Sequence, residues 1–323
     1  MHYYCTLFDS NYVAHALSLA DSLRRFSPTM PIVMFCMDEG ALETVTTSDL
    51  PNLIAISLLE LEQKTVGLSE TKADRTRVEY FYTCTPAICS YVLNNLEDVE
   101  SVTYLDADLY FFSSPSPVFE ELAGKSIGII EHRYSRPQRG RDYGRFNVGW
   151  ITFRNDDNGR RCLADWTSNC IDWCYQRFDG DKYADQKYLD KWPVDYAGVH
   201  VVQHKGANVA PWNVATYQLN ADASGIFVDE EKLLFYHFAG FGQVGFRKFK
   251  SGLSAHRLQT SGLLLERIYK PYANSIVRFS DPRERIVEKP PSHVSGPVKF
   301  ARQLLRGWRT LRYPDVFSVS GEQ

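Results

Sequence analysis

The chain reads as an α/β protein, a mostly parallel sheet flanked by helices and followed by a basic helical C-terminal tail. Three observations predict this. Apolar runs of strand length, such as "PIVMFCM" (31–37), alternate with stretches of helical spacing, and that alternation builds a parallel sheet covered on both faces. Polar, chemistry-bearing stretches such as "DSNY" (9–12) stand directly after strands, where open α/β sheets bind ligands. Basic residues crowd the last third. From Arg247 to Arg312 there are 15 Lys/Arg against 4 Asp/Glu, a local +11 that leaves −14 on the remainder of a chain of net charge −3.

In order, residues 3–8 form the first strand. "NYVAHALSLADSLRRF" then sets Val13, Ala16, Leu17, Ala20 and Leu23 on one helical face. Residues 31–37 and "LIAISL" (53–58) are the second and third strands. A helical pattern runs from about Lys72 to Asn95, with Pro86 as a point of bending. "SVTYLD" (101–106) is the fourth strand and "SIGIIEH" (126–132) follows it. "RYSRPQRGRDYGR" (133–145) is a basic, turn-rich surface loop, and "FNVGWITF" (146–153) is a strand with a glycine in it. The next helix has Asn155, Asp156 and Asp157 as candidate N-caps. "GVHVVQ" (198–203) and "KLLFYHFAGFG" (232–242) are the last strands. Strand signals fade from about residue 247, and residues 281–297 read as a linker. The chain thus divides into a main domain, 1–250, and a basic extension, 251–323.

The composition, 44% apolar and 23% charged, is that of a soluble globular protein. No apolar run approaches the roughly 20 residues of a membrane span. No charged stretch followed by an apolar core opens the chain, so no signal peptide is expected. Seven cysteines without a CxxC pair suit a reducing cytoplasm. Cys162, Trp166, Cys170 and Cys174 recur every four residues, a core-facing stripe rather than a metal set. The tail "PVKFARQLLRGWRTLRY" (297–313) rings Phe300, Leu304, Leu305, Trp308 and Leu311 with basic residues. Two readings fit it: a helix on an anionic membrane surface, or one packed back on the body. No nucleic-acid recognition motif accompanies it.

The most informative stretch is "YLDADLYFF" (104–112). Asp is disfavoured in strands and costly when buried unpaired, yet Asp106 and Asp108 interrupt an apolar run. On a strand they point the same way, roughly 6–7 Å apart, with Ala107 facing the other side. Two hard oxygen donors at a strand end make half a site for Mg²⁺ or Mn²⁺.

"YLDADL" resembles the Asp-x-Asp motif of nucleotide-sugar glycosyltransferases with the GT-A fold, a Rossmann-like sheet. More narrowly the chain resembles retaining glycosyltransferase family 8, which includes lipopolysaccharide glycosyltransferases and glycogenin. "DSNY" (9–12), "FNVGWITF" (146–153), "DQKYLD" (185–190) and "HFAG" (237–240) stand in the family's order. The resemblance implies Mn²⁺ (or Mg²⁺) held by Asp106, Asp108 and His237 on a donor diphosphate. It implies a nucleoside held by Asp9, Asn11 and Tyr12, and a phosphate or sugar contact from Arg75 or Arg77. Ala107 and Gly240 belong to the donor-binding motifs. Asn147 and Gly149 would shape the sugar pocket, Asp185 would hydrogen-bond the sugar, and Gln186 would stand beside the anomeric carbon.

The implied activity is metal-dependent retaining transfer of a hexose from a nucleotide sugar, UDP-glucose or UDP-galactose, to a cell-surface glycan or lipid-linked acceptor. Same-face attack and a covalent intermediate both remain open. The implied location is cytoplasmic, with the basic tail against the inner face of the membrane. One departure stands out. Where the family has a diphosphate-binding lysine, this chain has Gln243, with Arg247 or Lys248 as substitutes. That departure leaves open a degenerate protein acting as a membrane-associated binding module. "HKGANVAPWN" (204–213) has no clear counterpart, and its His204, Trp212 and Asn213 either line the acceptor side or form a packed loop.

Overall fold

The computed structural model describes residues 1–136, 142–280 and 315–320. The tail helix expected at 297–313 and the linker at 281–297 lie outside them. The described strands and helices run in the order β1 His2–Phe8, α1 Val13–Arg24, β2 Ile32–Cys36, α2 Glu39–Thr46, β3 Leu53–Ser57, α3 Leu58–Lys64 and α4 Arg77–Asn95. Next come β4 Ser101–Leu105, β5 Leu109–Phe111, α5 Ser116–Glu121, β6 Ile127–Glu131, β7 Phe146–Arg154, α6 Asp157–Asp172 and α7 Trp192–Asp195. Last are β8 Val199–Val201, β9 Leu219–Asp222, β10 Gly225–Val228, β11 Glu231–Lys232, β12 Phe235–His237, β13 Gly242–Gly245, β14 Lys248–Lys250, α8 Lys270–Phe279 and β15 Val316–Ser318.

Seven strands form the central sheet in the order β3-β2-β1-β4-β7-β6-β8. All neighbours are parallel except β7, which is antiparallel to both β4 and β6. The alternation of β2 shows why its sequence is unbroken apolar: Val33 and Phe35 enter the core on one face, while Ile32, Met34 and Cys36 enter that on the other. The first face is covered by α4 and α6 through residues such as Ile88, Val92, Leu163 and Trp166. The second is covered by α1, α2 and α5. A third core joins β12 and β14 to α8 and β15, with the Phe238 and Tyr272 rings stacked 3.8 Å apart.

The structure adjusts several expected elements. The pattern from Lys72 is two pieces, a 3-10 turn at Ser69–Ala73 and then α4, because Thr76 and Glu79 form a reciprocal capping box that starts a new helix. α4 continues through Pro86. Losing that backbone bond costs about 3 kcal/mol. Burial of Tyr80, Ile88 and Val92, at roughly 1.5–3 kcal/mol each, more than offsets it. The strand expected at 232–242 is broken into the end of β11 at Lys232, β12 over Phe235–His237 and the start of β13 at Gly242, with Gly240 turning the chain at φ +78°. Beyond residue 247, where strand signals fade, β14 and β15 still pair. Asp156 is the cap of α6, and Cys174 is buried although it lies past the helix end.

Candidate functional site

Asp106 and Asp108 do not stand on a strand. β4 ends at Leu105, and residues 106–108 make a tight turn closed by Leu109 N–H donating to the Asp106 carbonyl at 3.1 Å. The expected strand geometry is thereby corrected, and the reason is local. Asp is a poor strand former that readily adopts turns. Sheet bonding holds up to the turn itself, since Asp106 N–H donates to the Gly149 carbonyl of β7 at 3.1 Å. The chain then returns as β5, which pairs antiparallel with β12 so that His237 lies opposite Leu109. That register carries His237, distant in sequence, to the side of Asp108.

His237 Nε2 lies 3.1 Å from Asp108 Oδ1 and 3.5 Å from Asp106 Oδ2. One donor atom from each of the three residues falls within 4.8 Å of the others. Tyr104 Oη donates to Asp106 Oδ1 at 2.7 Å. Two carboxylates and an imidazole are a donor set for Mn²⁺ or Mg²⁺. The electrostatics agree. Burial pushes the Asp106 acid up. For Asp108, burial is outweighed by the His237 imidazole, and its acid falls. For His237, burial is outweighed by Asp108, and its basicity rises. Two carboxylates share one imidazole, so a divalent cation held by both carboxylates and the neutral ring would supply the missing positive charge. Gly149 is required here on steric grounds. A Cβ at that position would sit 2.6 Å from Asn147 Oδ1 and 2.8 Å from His237 Nδ1.

Along the same sheet edge, after β1, Asp9 accepts from the Asn11 backbone at 3.0 Å and its side chain at 3.2 Å. Arg77 reaches Asp9 Oδ2 at 2.9 Å and Asp38 Oδ2 at 3.1 Å. Tyr12 is exposed and stacks on His15 at 4.7 Å; burial of its hydroxyl, with Asp108, Asp9 and Asp106 nearby, pushes its acid up to about 12. Arg75 is elsewhere: it is buried, 3.9 Å over the Tyr175 ring, and donates to the Ile171 carbonyl. Of the two arginines, Arg77 is the one beside the motif residues.

On the other side of the triad a cavity of about 270 Å³ is lined by His132, Asn147, Gln186, Trp212, His237 and His256, among others. Gln186 donates to the Tyr143 carbonyl at 2.5 Å. Asp185 is buried, and burial, then the charge of Asp106, raises its acid to about 8. Its carbonyl accepts from Trp166 Nε1 at 2.9 Å. Ala107 is buried in the core under the turn, and Gly240 lies against Gly252. Of the residues from 204–213, Trp212 lines the cavity and Asn213 is a buried tie to the His132 and Asn208 carbonyls. His204 lies instead 3.3 Å from Glu231. Gln243 donates to the nearby Gly245 carbonyl, and Arg247 lies over Phe246. Neither Arg247 nor Lys248 lines the cavity.

Sequence reasoning missed Asp38, His132, Tyr143 and His256. Asp38 carried a legible sign, since it follows the β2 strand as Asp9 follows β1. His132, whose buried ring is pushed down to about 3 by desolvation, and His256 carried none.

No family model matches the chain. It is 30% identical over 284 residues to the uncharacterized protein YfnD of Bacillus subtilis (strain 168), spanning 86% of this chain and 90% of that protein. It is 32% identical over 259 residues to the uncharacterized protein YfnF of the same organism, spanning 76% and 84%. Among solved structures it is similar to the galactosyltransferase LgtC in complex with donor and acceptor sugar analogs. The TM-score is 0.50 at 17% identity, over 74% of this chain and 87% of that one. The seven-stranded architecture is therefore the GT-A one. No helix among the described residues is long and apolar enough to cross a membrane.

Proposed function

This chain belongs to one family with YfnD and YfnF of Bacillus subtilis, and we propose that it is a metal-dependent glycosyltransferase. It would move a hexose from a nucleotide sugar, UDP-glucose or UDP-galactose, to a glycan or lipid-linked acceptor, with retention, in the manner of family 8. The observation that carries this reading is the convergence of Asp106, Asp108 and His237 within 4.8 Å at the carboxyl edge of a parallel sheet, beside a sugar-sized cavity.

Asp106, Asp108 and His237 would hold Mn²⁺ or Mg²⁺, which when bound supplies charge stabilisation to a leaving diphosphate. Asp9, Asn11 and Tyr12 hold the nucleoside, Tyr12 by offering a ring face to the base. Arg77 keeps Asp9 in place through its two ion pairs. Asn147 and Gly149 set the floor of the sugar pocket. Asp185, kept protonated over much of the neutral range by its burial, can donate a hydrogen bond to a sugar hydroxyl. Gln186, oriented by Tyr143, places a carboxamide dipole where the anomeric carbon gains positive charge. A carboxamide is a weak nucleophile, so same-face attack with the departing diphosphate as base fits these residues at least as well as a covalent intermediate.

The test is nucleotide release from UDP-, GDP-, dTDP- and CMP-sugars, with and without Mn²⁺. Release of UDP that needs metal and vanishes in Asp108→Asn is the expected result. Neither release nor metal-dependent nucleotide binding for any donor would sink the reading.

A further inference from the structure

The cavity has a neighbour on the side of Tyr134 and Trp212. Next to it, sharing the walls Tyr134, Trp212 and His256, is a second recess of about 80 Å³ bordered also by Ser135, Arg136 and Arg257. Among the described residues no Asp or Glu lines either chamber, although acidic residues outnumber basic ones in the chain, 39 to 36. Arg136 and Arg257 are exposed and neither forms an ion pair among the described residues. Their neighbours are committed. Arg133 donates to the Val202, His204 and Ala207 carbonyls, and Arg145 is bonded to Glu131. Arg257 is presented from a left-handed backbone, φ +63°, just past the 3-10 turn Leu253–His256. An L side chain rarely adopts that conformation, and such departures gather at ligand sites.

The place of the recess in the fold separates it from the nucleoside side. Tyr134, Ser135 and Arg136 follow β6, whereas Asp9 follows β1, and β4 and β7 lie between. Three strand spacings are about 14 Å, with the triad after β4 in the middle. A group in the recess therefore approaches the triad from the side opposite the base.

We propose that this recess binds a phosphate-type anion carried by the acceptor. Arg136 and Arg257 offer paired N–H donors to its oxygens, and the Ser135 hydroxyl lies on the same wall. The anion site stands on the recess itself; that the anion belongs to an acceptor rests on the transferase reading. The other source of the same chemistry is the donor's own diphosphate.

Methyl phosphate, titrated by calorimetry into the full chain with Mg²⁺, with and without saturating UDP, separates these. Methyl phosphate is expected to bind the wild type in both conditions. In Arg136→Gln/Arg257→Gln its affinity falls at least tenfold, while UDP affinity changes less than twofold. Equal methyl phosphate affinity in wild type and variant, or none in the wild type, would overturn the anion site. Competition between UDP and methyl phosphate, together with weakened UDP binding in the variant, would assign the arginines to the donor diphosphate and overturn the acceptor assignment. If UDP does not bind the wild type, the UDP-donor reading fails while the methyl phosphate titration still reports on the recess. Should the glutamine pair fail to fold, Arg136→Lys/Arg257→Lys, which keeps charge but loses the planar fork, carries the comparison.

Discussion

Asp21 in the core of α1 and the half-buried pair Asp106 and Asp108 resolve the cost of enclosing a carboxylate in opposite ways. Asp21 of α1 accepts from Arg24 at 2.8 Å and Arg25 at 2.7 Å, and Arg278 of α8 stands 3.5 Å away. Three cations face one anion; burial raises its acid but the arginines win and the net direction is down. At the edge of the sheet, Asp106 and Asp108 share a single imidazole, and Asp106 is pushed up. The first cluster is satisfied by its own chain and fastens the third core to α1. The second is short of positive charge, which is what a cation site looks like before the cation is counted. A buried acid thus points to function when its neighbours fail to pair it.

That contrast can be broken most directly with Asp108→Asn. Loss of one ligand should lower metal-dependent nucleotide release by roughly 10³-fold, while thermal stability falls only slightly, because the lost His237 contact is offset in part by relief of the repulsion on Asp106. A melting temperature that falls as far as the activity would make the pair structural, like Asp21. Next in size is Gly149→Ala. The added methyl meets His237 and Asn147, and a displacement of about 1 Å at His237 should cost about 10²-fold in activity; metal-binding titrations of the variant should show weakened affinity.

On the other side of the comparison, Asp21→Asn should lose about 2 kcal/mol of stability in urea unfolding, since the arginines are half in solvent, with activity per folded molecule unchanged. The smallest effects are slopes against pH. Asp21, with its folded pKa depressed, contributes stability above the unfolded value near pH 4 that is lost as pH falls through the folded value. Asn at 21 should flatten that acid limb. Asp185, raised to about 8 by burial and then by Asp106, has the opposite sign. Its contribution is whole below about pH 4 and is lost as pH climbs to 8. Urea midpoints across pH 3–9 should show Asp185→Asn removing that decline.

Much of this was legible before any coordinates. Apolar runs and helical spacing placed β1 to β4, β6 and β7, because an element buried on both faces leaves a local signature in its own residues. Asp106 and Asp108 could be picked out because carboxylates are expensive in the apolar run that holds them, whereas His237 was singled out only by the resemblance of "HFAG" to a family motif. The choice between Arg75 and Arg77 was not legible, since two residues apart on one segment they end on different faces, one under Tyr175 and one beside Asp9. The turn at 106–108 was missed for a similar reason, as an apolar run with two polar insertions reads as one strand until its hydrogen bonds are seen.

Local composition and order therefore decided the fold class, the strand edge where chemistry gathers and the prominence of Asp106 and Asp108, while the order of the motifs added His237 as a candidate third donor. Only the tertiary structure decided their company. The pairing of β5 with β12 brought His237 to Asp108 across more than a hundred residues, and the packing after β6 brought Arg136 and Arg257 to the border of one recess. Neither could be read along the chain, because the energy that fixes such neighbours comes from contacts between segments, and no single segment carries it.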